Sequence, residues 1–474
     1  MSLTERVTSG ELAGGELVSE MELALRLASQ LGDGEVLGPG EASLPYTIAG
    51  QPPLAVVFPR SSEEMSAVVA LAREARLPLV PWGGGTQQEV GPPLIRPGIV
   101  VSLERMRAVV DLDIGNMTAE VQAGLPNKHL QDALAPERLW FPVDPPDWER
   151  STVGGNLATN ASGPSRLRYR GLRDHLMGLS VVLSSGEVAR FGGKTVKNVA
   201  GYDLRKLMIG SWGTLGIITT AIVRLWPLPE AKVTLAARLP GEEAFADFSK
   251  RLLASYLLPT SFERLDVRAG ADLADYLGWT VSPTDLICLV GIDGFQSAVE
   301  RQTREATQML LDAGAATVET LEAEREASAW ERWRQVEATV GRGAAGLVVG
   351  RASIPLSRVG EFGVLLRALG AQCDLAVASN AHAGNGVVSV YALLEDESER
   401  TLASVAGLAA GLRRGAERLG GFFLVEKAPA PLRKETTIWP QRSDYSLMRA
   451  VKARLDPDGL LNPGRGVDGA CDHA

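Results

Sequence analysis

The residues best placed to do chemistry in this sequence lie in three glycine-rich segments. They are Trp82-Gly83-Gly84-Gly85-Thr86-Gln87-Gln88, the stretch STVGGNLATNASG from Ser151, and GSWGTLG from Gly210 to Gly216. Successive glycines let the chain turn several backbone N–H groups toward one point, which makes an anion-binding concavity without any charged side chain. That suits a pyrophosphate. Thr86, Gln87, Thr152, Asn156, Thr159 and Asn160 beside the glycines can hydrogen-bond a ribityl chain or a ring. One such run is more often only a turn, but three of them at strand ends favour a large phosphate-bearing cofactor.

Histidine and cysteine are scarce. The four histidines are His129, His175, His382 and His473, and the three cysteines, Cys288, Cys373 and Cys471, form no CxxC. A metal site needs several convergent ligands and an iron–sulfur cluster needs more cysteines than these, so no metal and no cluster of the chain's own is expected. His382, in Ala381-His382-Ala383-Gly384-Asn385-Gly386, can be read as a general base or hydrogen-bond donor to a substrate alcohol, since an imidazole titrates near neutrality. Its plainer reading is a satisfied loop histidine. Arg351 can be read as a carboxylate clamp through bidentate pairing, or as a surface arginine at a strand end. His129 and His175 read as structural. Trp330 and Trp333, three apart on one helical face, read as core or as an interface patch.

Two familiar motifs fail. Gly193-Lys194-Thr195 resembles the end of a P-loop, but the required earlier glycine is Val188 and the segment follows a hairpin instead of opening a helix. No GxGxxG follows a strand, so a Rossmann site has no support.

The elements that must position these residues follow from hydrophobic period. Glu20 to Gln30 reads as an amphipathic helix with Met21, Leu25 and Ala28 on one face. LAVVF is a strand, then Ser61 and Glu64 are spaced as a capping box before a helix, and PLVPW is the strand that delivers the first glycine loop. Leu179–Leu183 and Glu187–Phe191 read as a hairpin, and IITTAIVRLW as the strand after the third loop. Beyond Pro229 the pattern reads twice as βαββαβ. The first copy has strands at 232–239, 262–267, 286–292 and 316–321 with helices Glu242–Leu257 and Gln296–Asp312. The second starts at Leu347, with helices Leu356–Leu369 and Glu399–Leu419, so an antiparallel sheet covered by helices is expected. The tail after Arg465 and the first residues read as mobile.

The chain has 474 residues, which argues for two or three domains. With 48 basic and 57 acidic residues the net charge is −9 and no basic run offsets it, which argues against nucleic acid and anionic membrane as partners. No apolar stretch is long enough for a spanning helix, and the first residues lack a basic n-region and an apolar h-region, so a cytoplasmic protein is expected.

Taken in order, PLAVVFP, PLVPWGGGT, TVGGNLATNASG, KTVKNVAGYDLRKLMIGSWGTLGIIT and LDPDGLLNPGR resemble the FAD-linked oxidases of the vanillyl-alcohol oxidase type, and most of all the GlcE-type FAD-binding subunit of bacterial glycolate oxidase. The resemblance implies an α+β chain: a PCMH-type FAD-binding domain of two α/β subdomains and an antiparallel-sheet cap carrying the repeated βαββαβ plan. The expected division is an N-terminal extension over 1–48, the FAD domain over 49–229, the cap over 230–443 and a C-terminal segment over 444–474 that returns to the FAD domain. The FAD contacts it implies are Pro81, Trp82, Gly83, Gly84, Gly85, Thr86, Gln87 and Gln88; Asp144; Thr152, Gly154, Gly155, Thr159, Asn160 and Ala161; Gly216 and Ile217; and Asn462. Covalent members carry a histidine in the first loop, whereas this sequence has Gly85 and Thr86, so FAD is expected to be noncovalent.

Related 2-hydroxy-acid dehydrogenases carry a GHxGDGNxH-like motif whose histidines hold a metal, and a later EHG. Here His382 remains, the second histidine is Ser389, and EHG becomes Glu426, Lys427 and Ala428. The resemblance therefore leaves two expectations. One is an FAD-dependent oxidoreductase acting on a small 2-hydroxy acid such as glycolate or D-lactate. The other is a non-catalytic FAD-binding subunit that docks a catalytic flavoprotein sibling and an iron–sulfur subunit, and is peripheral to the inner membrane through those partners.

Overall fold

A computed structural model describes residues 15–32, 35–195, 201–429, 432 and 443–466. The start and tail expected to be mobile lie outside the described residues over 1–14 and 467–474, as do positions 196–200 of the KNVAGYDL motif.

Helix α1 (Gly15–Leu31) buries Ala24, Leu27 and Ala28, spaced at helical period, against the first core. Leu25, expected on that face, is instead exposed, because the buried stripe runs one residue earlier. Short strands follow: β1 (Val36–Leu37), β2 (Ala55–Val57), β3 (Leu79–Trp82) and β4 (Ile99–Ser102) form a sheet in the order β1-β2-β4-β3. The last three are parallel, and nearly every residue in them is buried, as befits strands covered on both faces. Helix α2 (Ser62–Glu74) links β2 to β3. Its Ser61 cap accepts the Glu64 N–H at 3.1 Å while Glu64 accepts the Arg60 N–H at 2.7 Å.

A second, antiparallel sheet holds β5 (Val109–Asp113), β6 (Thr118–Gln122), β8 (Leu176–Val182), β9 (Val188–Gly192) and β10 (Ile217–Arg224) in the order β5-β6-β10-β8-β9. Strands β7 (Leu139–Trp140) and β11 (Trp226–Pro227) pair separately. Helix α3 (Val153–Thr159) opens the second glycine segment. One continuous core joins the two sheets, with Val57 and Val101 from one side and Val121, Val181 and Val223 from the other.

The cap follows from β12 (Ala231–Leu239), α4 (Glu242–Leu253), β13 (Ser261–Asp266), β14 (Leu286–Gly294), α5 (Gln296–Asp312) and β15 (Thr317–Leu321). Then α6 (Ala323–Arg334) leads to β16 (Gly346–Ser353), α7 (Val359–Gln372), β17 (Ala376–His382), β18 (Val387–Leu394), α8 (Glu399–Arg418) and β19 (Phe422–Lys427). Helix α4 stops at Leu253 rather than Leu257, since Ser255 Oγ takes the Leu257 N–H at 3.1 Å and draws the chain into a turn. All eight strands form one antiparallel sheet, β15-β12-β14-β13-β17-β18-β16-β19. Each βαββαβ copy has the same internal strand order, and the copies join edge to edge through their second strands, β13 and β17.

Strand alternation divides the cap into two faces. Leu235, Phe262, Cys288 and Val390 face helices α4, α5, α7 and α8. Ala236, Leu265, Ile287, Val349, Ala378 and Tyr391 face the other way, toward α6 with its buried Trp330 and Trp333. The Trp330 indole N–H donates to Thr234 at 2.9 Å, so this pair is core rather than a partner patch.

Helix α9 (Tyr445–Leu455) brings the chain back to the first unit. The Leu79 N–H donates to the Leu460 carbonyl and the Asn462 N–H to the Leu79 carbonyl, both at 2.8 Å, so the LLN segment continues the edge of β3. The Asp456 carboxylate holds this turn by accepting from Leu460 and Leu461 N–H and from the buried Lys452.

Candidate active site

The three glycine segments converge because two of them border strands of the first unit and the helix within the other packs on β10. The first leaves β3, the second opens α3 with Thr152 Oγ1 accepting the Gly155 N–H at 3.1 Å, and the third enters β10. Together they line one cleft. Close approach is built in: a Cβ on Gly84 would lie 1.9 Å from the Arg150 carbonyl oxygen, and one on Gly83 would lie 2.4 Å from Thr152 Oγ1. Only glycine lets the first two loops touch.

Of the expected cofactor contacts, Pro81, Gly83, Gly84, Gly85, Thr86, Gln87, Gln88, Thr152, Gly154, Gly155, Thr159, Gly216, Ile217 and Asn462 line this cleft. Asn160 and Ala161 line a neighbouring one. Two contacts fall elsewhere. The Trp82 ring turns away into an apolar cluster, 5.1 Å from the Tyr46 ring, because Trp82 is still the last residue of β3. Asp144 lines neither cleft. Its carboxylate accepts the Ser165 hydroxyl at 2.8 Å and holds the chain behind the second loop, and burial raises its pKa.

Arg465 and Trp212 were not anticipated. The buried Arg465 guanidinium donates to the Gln88 and Val90 carbonyls and so fastens the first loop from behind. Trp212, with φ of 56°, lines both clefts. The NPGR motif carried the signal for Arg465.

The second cleft is continuous with the first through Thr86, Gln87, Ser151, Asn156, Thr159 and Trp212. The face of the cap sheet that bears Val349, Ala378 and Tyr391 closes it. Strand alternation sends Arg351, Asn380, His382 and Ser389 to that same face, so both expected catalytic residues reach this space.

His382 is anchored. Register sets Glu263 of β13 directly opposite it, and Glu263 Oε1 lies 2.9 Å from His382 Nδ1. The Trp333 ring stands 5.3 Å away as a wall. Burial raises the Glu263 pKa to about 6 against the opposing pull of His382; Trp333 also lowers it, though outside hydrogen-bond geometry. Arg351 is held side-on, with Nε 2.7 Å from Glu426 Oε1 and Nη2 3.0 Å from Glu426 Oε2. Lys427 pairs with Glu337. The Tyr391 hydroxyl donates to Asn380 Oδ1 at 2.9 Å, and burial raises its pKa.

The residues present fit FAD. Backbone N–H groups of Gly83 to Gln88 find no acceptor among the described residues, and the buried Asn462 Oδ1 in the same cleft has no partner. These are the groups a pyrophosphate and a polar cofactor would use. They do not fit a catalytic metal. Among the described residues no three His, Cys, Asp or Glu side chains converge, and Glu426, which stands in EHG's place, is taken by Arg351.

Residues 53–192 match the family described as FAD binding domain, and residues 228–465 match the FAD linked oxidases, C-terminal domain. The glycolate oxidase subunit GlcD of Bacillus subtilis is 32% identical over 417 residues, which span 87% of this chain and 88% of that protein. The chain belongs to the FAD-linked oxidases. The D-lactate dehydrogenase of Archaeoglobus fulgidus is 30% identical over 454 residues, 91% of this chain and 97% of that one. In fold, this FAD-linked oxidase is similar to 4-ethylphenol oxidase from Gulosibacter chungangensis in its isoeugenol complex, with a TM-score of 0.75 over 96% of this chain and 98% of the other at 18% identity. Substrate-bound p-cresol methylhydroxylase gives 0.74 at 17% identity over 97% and 99%. The PCMH-type fold, FAD as cofactor and membership of an oxidase/dehydrogenase family are thus established together. Among the described residues no helix is long and apolar enough to cross a membrane.

Proposed function

We propose that this FAD-linked oxidase oxidises a small 2-hydroxy acid, such as glycolate or D-lactate, in the cleft between the glycine loops and the cap sheet. The observation that carries this reading is the placement of His382, backed by Glu263, and of Arg351 on the one sheet face that meets the flavin loops. Relatives that act on such acids, the D-lactate dehydrogenases and glycolate oxidase subunits, support the substrate class.

Bound noncovalently, FAD supplies a two-electron acceptor for the substrate's Cα hydride. The chain does the rest. His382 Nε2 accepts the hydroxyl proton as the C=O bond forms, and the imidazolium later releases it to solvent. Arg351, gripped by Glu426 through Nε and Nη2, keeps Nη1 for the substrate carboxylate. Trp333 and Trp212 are among the walls of the second cleft.

A second reading is supported by Ser389 standing where relatives carry their second histidine: a flavin-binding subunit that docks a catalytic flavoprotein sibling and an iron–sulfur subunit. In either reading the electrons leave to oxygen, a quinone or an iron–sulfur partner, and that partner would set any peripheral attachment to a membrane. Anaerobic mixing with a panel of 2-hydroxy acids decides between them. Bleaching of the flavin by the isolated protein, lost in His382→Ala, is expected. No bleaching by any acid in the isolated wild type would favour the subunit without turnover of its own.

A further inference from the structure

We infer that Glu263 is a positioning residue of the substrate site: it fixes His382 with its proton on Nδ1 and turns the Nε2 lone pair into the cleft. The inference rests on the reading of His382 as the base.

Three observations carry it. First, the pairing is dictated by register, since Glu263 and His382 are direct partners across the antiparallel pair β13 and β17 and their side chains leave the same sheet face. Second, Glu263 is 1% exposed and His382 14%, so the carboxylate lies behind the ring and only one ring edge reaches the cleft. Nδ1 is committed to Glu263 at 2.9 Å, which leaves Nε2 as the ring's free nitrogen, and the Trp333 ring at 5.3 Å limits rotation. Third, Glu263 Oε2 is buried with no partner in hydrogen-bond geometry, the Trp333 indole being the one donor that acts on this carboxylate besides His382.

The third observation separates a device from packing. A buried carboxylate with a single hydrogen bond to a neutral ring is costly, and a leucine at that place on a fully buried strand would be cheaper. The cost is offset when the ring beside it becomes an imidazolium. The pair is therefore most favourable after His382 has taken a proton on Nε2, the state that follows removal of the substrate's hydroxyl proton. The O–H bond breaks, the Nε2–H bond forms, and Nδ1–H stays on the ring throughout.

The test uses the scarcity of histidine. Protein labelled with 15N-histidine holds only four imidazoles, and His382→Ala identifies the resonances of interest. Wild-type protein is expected to show Nδ1 protonated and Nε2 bare. In Glu263→Gln an amide N–H can donate to Nδ1, so the ring should switch to the Nε2-protonated tautomer and flavin reduction by the active acid should fall by about 100-fold or more. FAD content and circular dichroism of the variant check that it folds. A wild-type ring protonated on Nε2 alone would overturn the inference, whatever becomes of the variant. So would a Glu263→Gln enzyme that reduces flavin at the wild-type rate while His382→Ala does not. If wild-type protein shows the expected tautomer and no acid reduces its flavin, the proposed reaction fails and Glu263 is left orienting an idle ring, which overturns the catalytic part of the inference and keeps the geometry.

Discussion

His175 shows at the scale of a single residue what burial does to an imidazole. It is 2% exposed, neither ring nitrogen has a partner in hydrogen-bond geometry, and it meets Phe141 edge-on at 6.0 Å between ring centroids. Desolvation lowers its pKa, opposed less strongly by the Tyr169 backbone and Asp174. Below the ordinary imidazole value of about 6.5 the unfolded chain takes up a proton that the folded chain resists, so stability is lost as pH falls through that range. Melting temperature measured from pH 7.5 down to about 5 should therefore drop less steeply in His175→Leu than in wild type. Equal slopes would mean that His175 is solvated or partnered in the folded state. The same physics gives Glu263 its use. A buried charge next to an imidazole has little effect on packing and a large effect on where the proton sits.

At the scale of elements, the glycine loops act by letting two backbones touch. A valine at Gly84 would put its Cβ 1.9 Å from the Arg150 carbonyl and push the first and second loops apart, while the cap, whose cores are separate, should fold unchanged. Gly84→Val is expected to purify without FAD and to resist reconstitution, with the cap's tryptophan signal native. Normal flavin content would show that the cleft lies elsewhere. Much of this was legible beforehand. The loops, the hairpin and both βαββαβ copies announce themselves through glycine runs and through periods of two and 3.6, which are local properties. Glu263 was not, because only the register of β13 against β17 makes that glutamate the neighbour of His382, and those residues are far apart in the chain. The hint available was a charged pair, Glu263-Arg264, inside a strand whose burial is almost complete. Trp82 is placed by strand pairing as well. It belongs to the motif by sequence but to the strand by geometry, so its ring serves the core.

Among the described residues, several contacts join the first unit to the cap. Tyr169 of the first unit donates its hydroxyl to the Asp293 carboxylate, 3.0 Å from both oxygens, and its ring sits edge-on between Trp140 and Trp226. Arg168 adds a bond to the Asp293 carbonyl at 2.9 Å. On the other side the Gly91 N–H donates to the Glu426 carbonyl at 2.8 Å, which ties the first flavin loop to the strand that steadies Arg351. Removing the carboxylate in Asp293→Ala leaves a buried tyrosine hydroxyl unpaired and should cost about 1.5–3 kcal/mol. Denaturant unfolding followed separately by flavin and by tryptophan fluorescence should then split into two transitions. A single unshifted transition would place the coupling of the first unit and the cap elsewhere.

The seam between β13 and β17 makes the cap a fused dimer. Two like halves meet there through equivalent strands, as two copies of one chain meet in an isologous interface. Two identical partners would repeat any such contact on both sides of the axis. Joined into one polypeptide, the halves are free to differ: the first, over 231–321, contains no histidine and contributes the glutamate, while the second contributes the histidine. The repeated plan thus offers one scaffold with two edges of different sequence, and the site occupies the line where they meet.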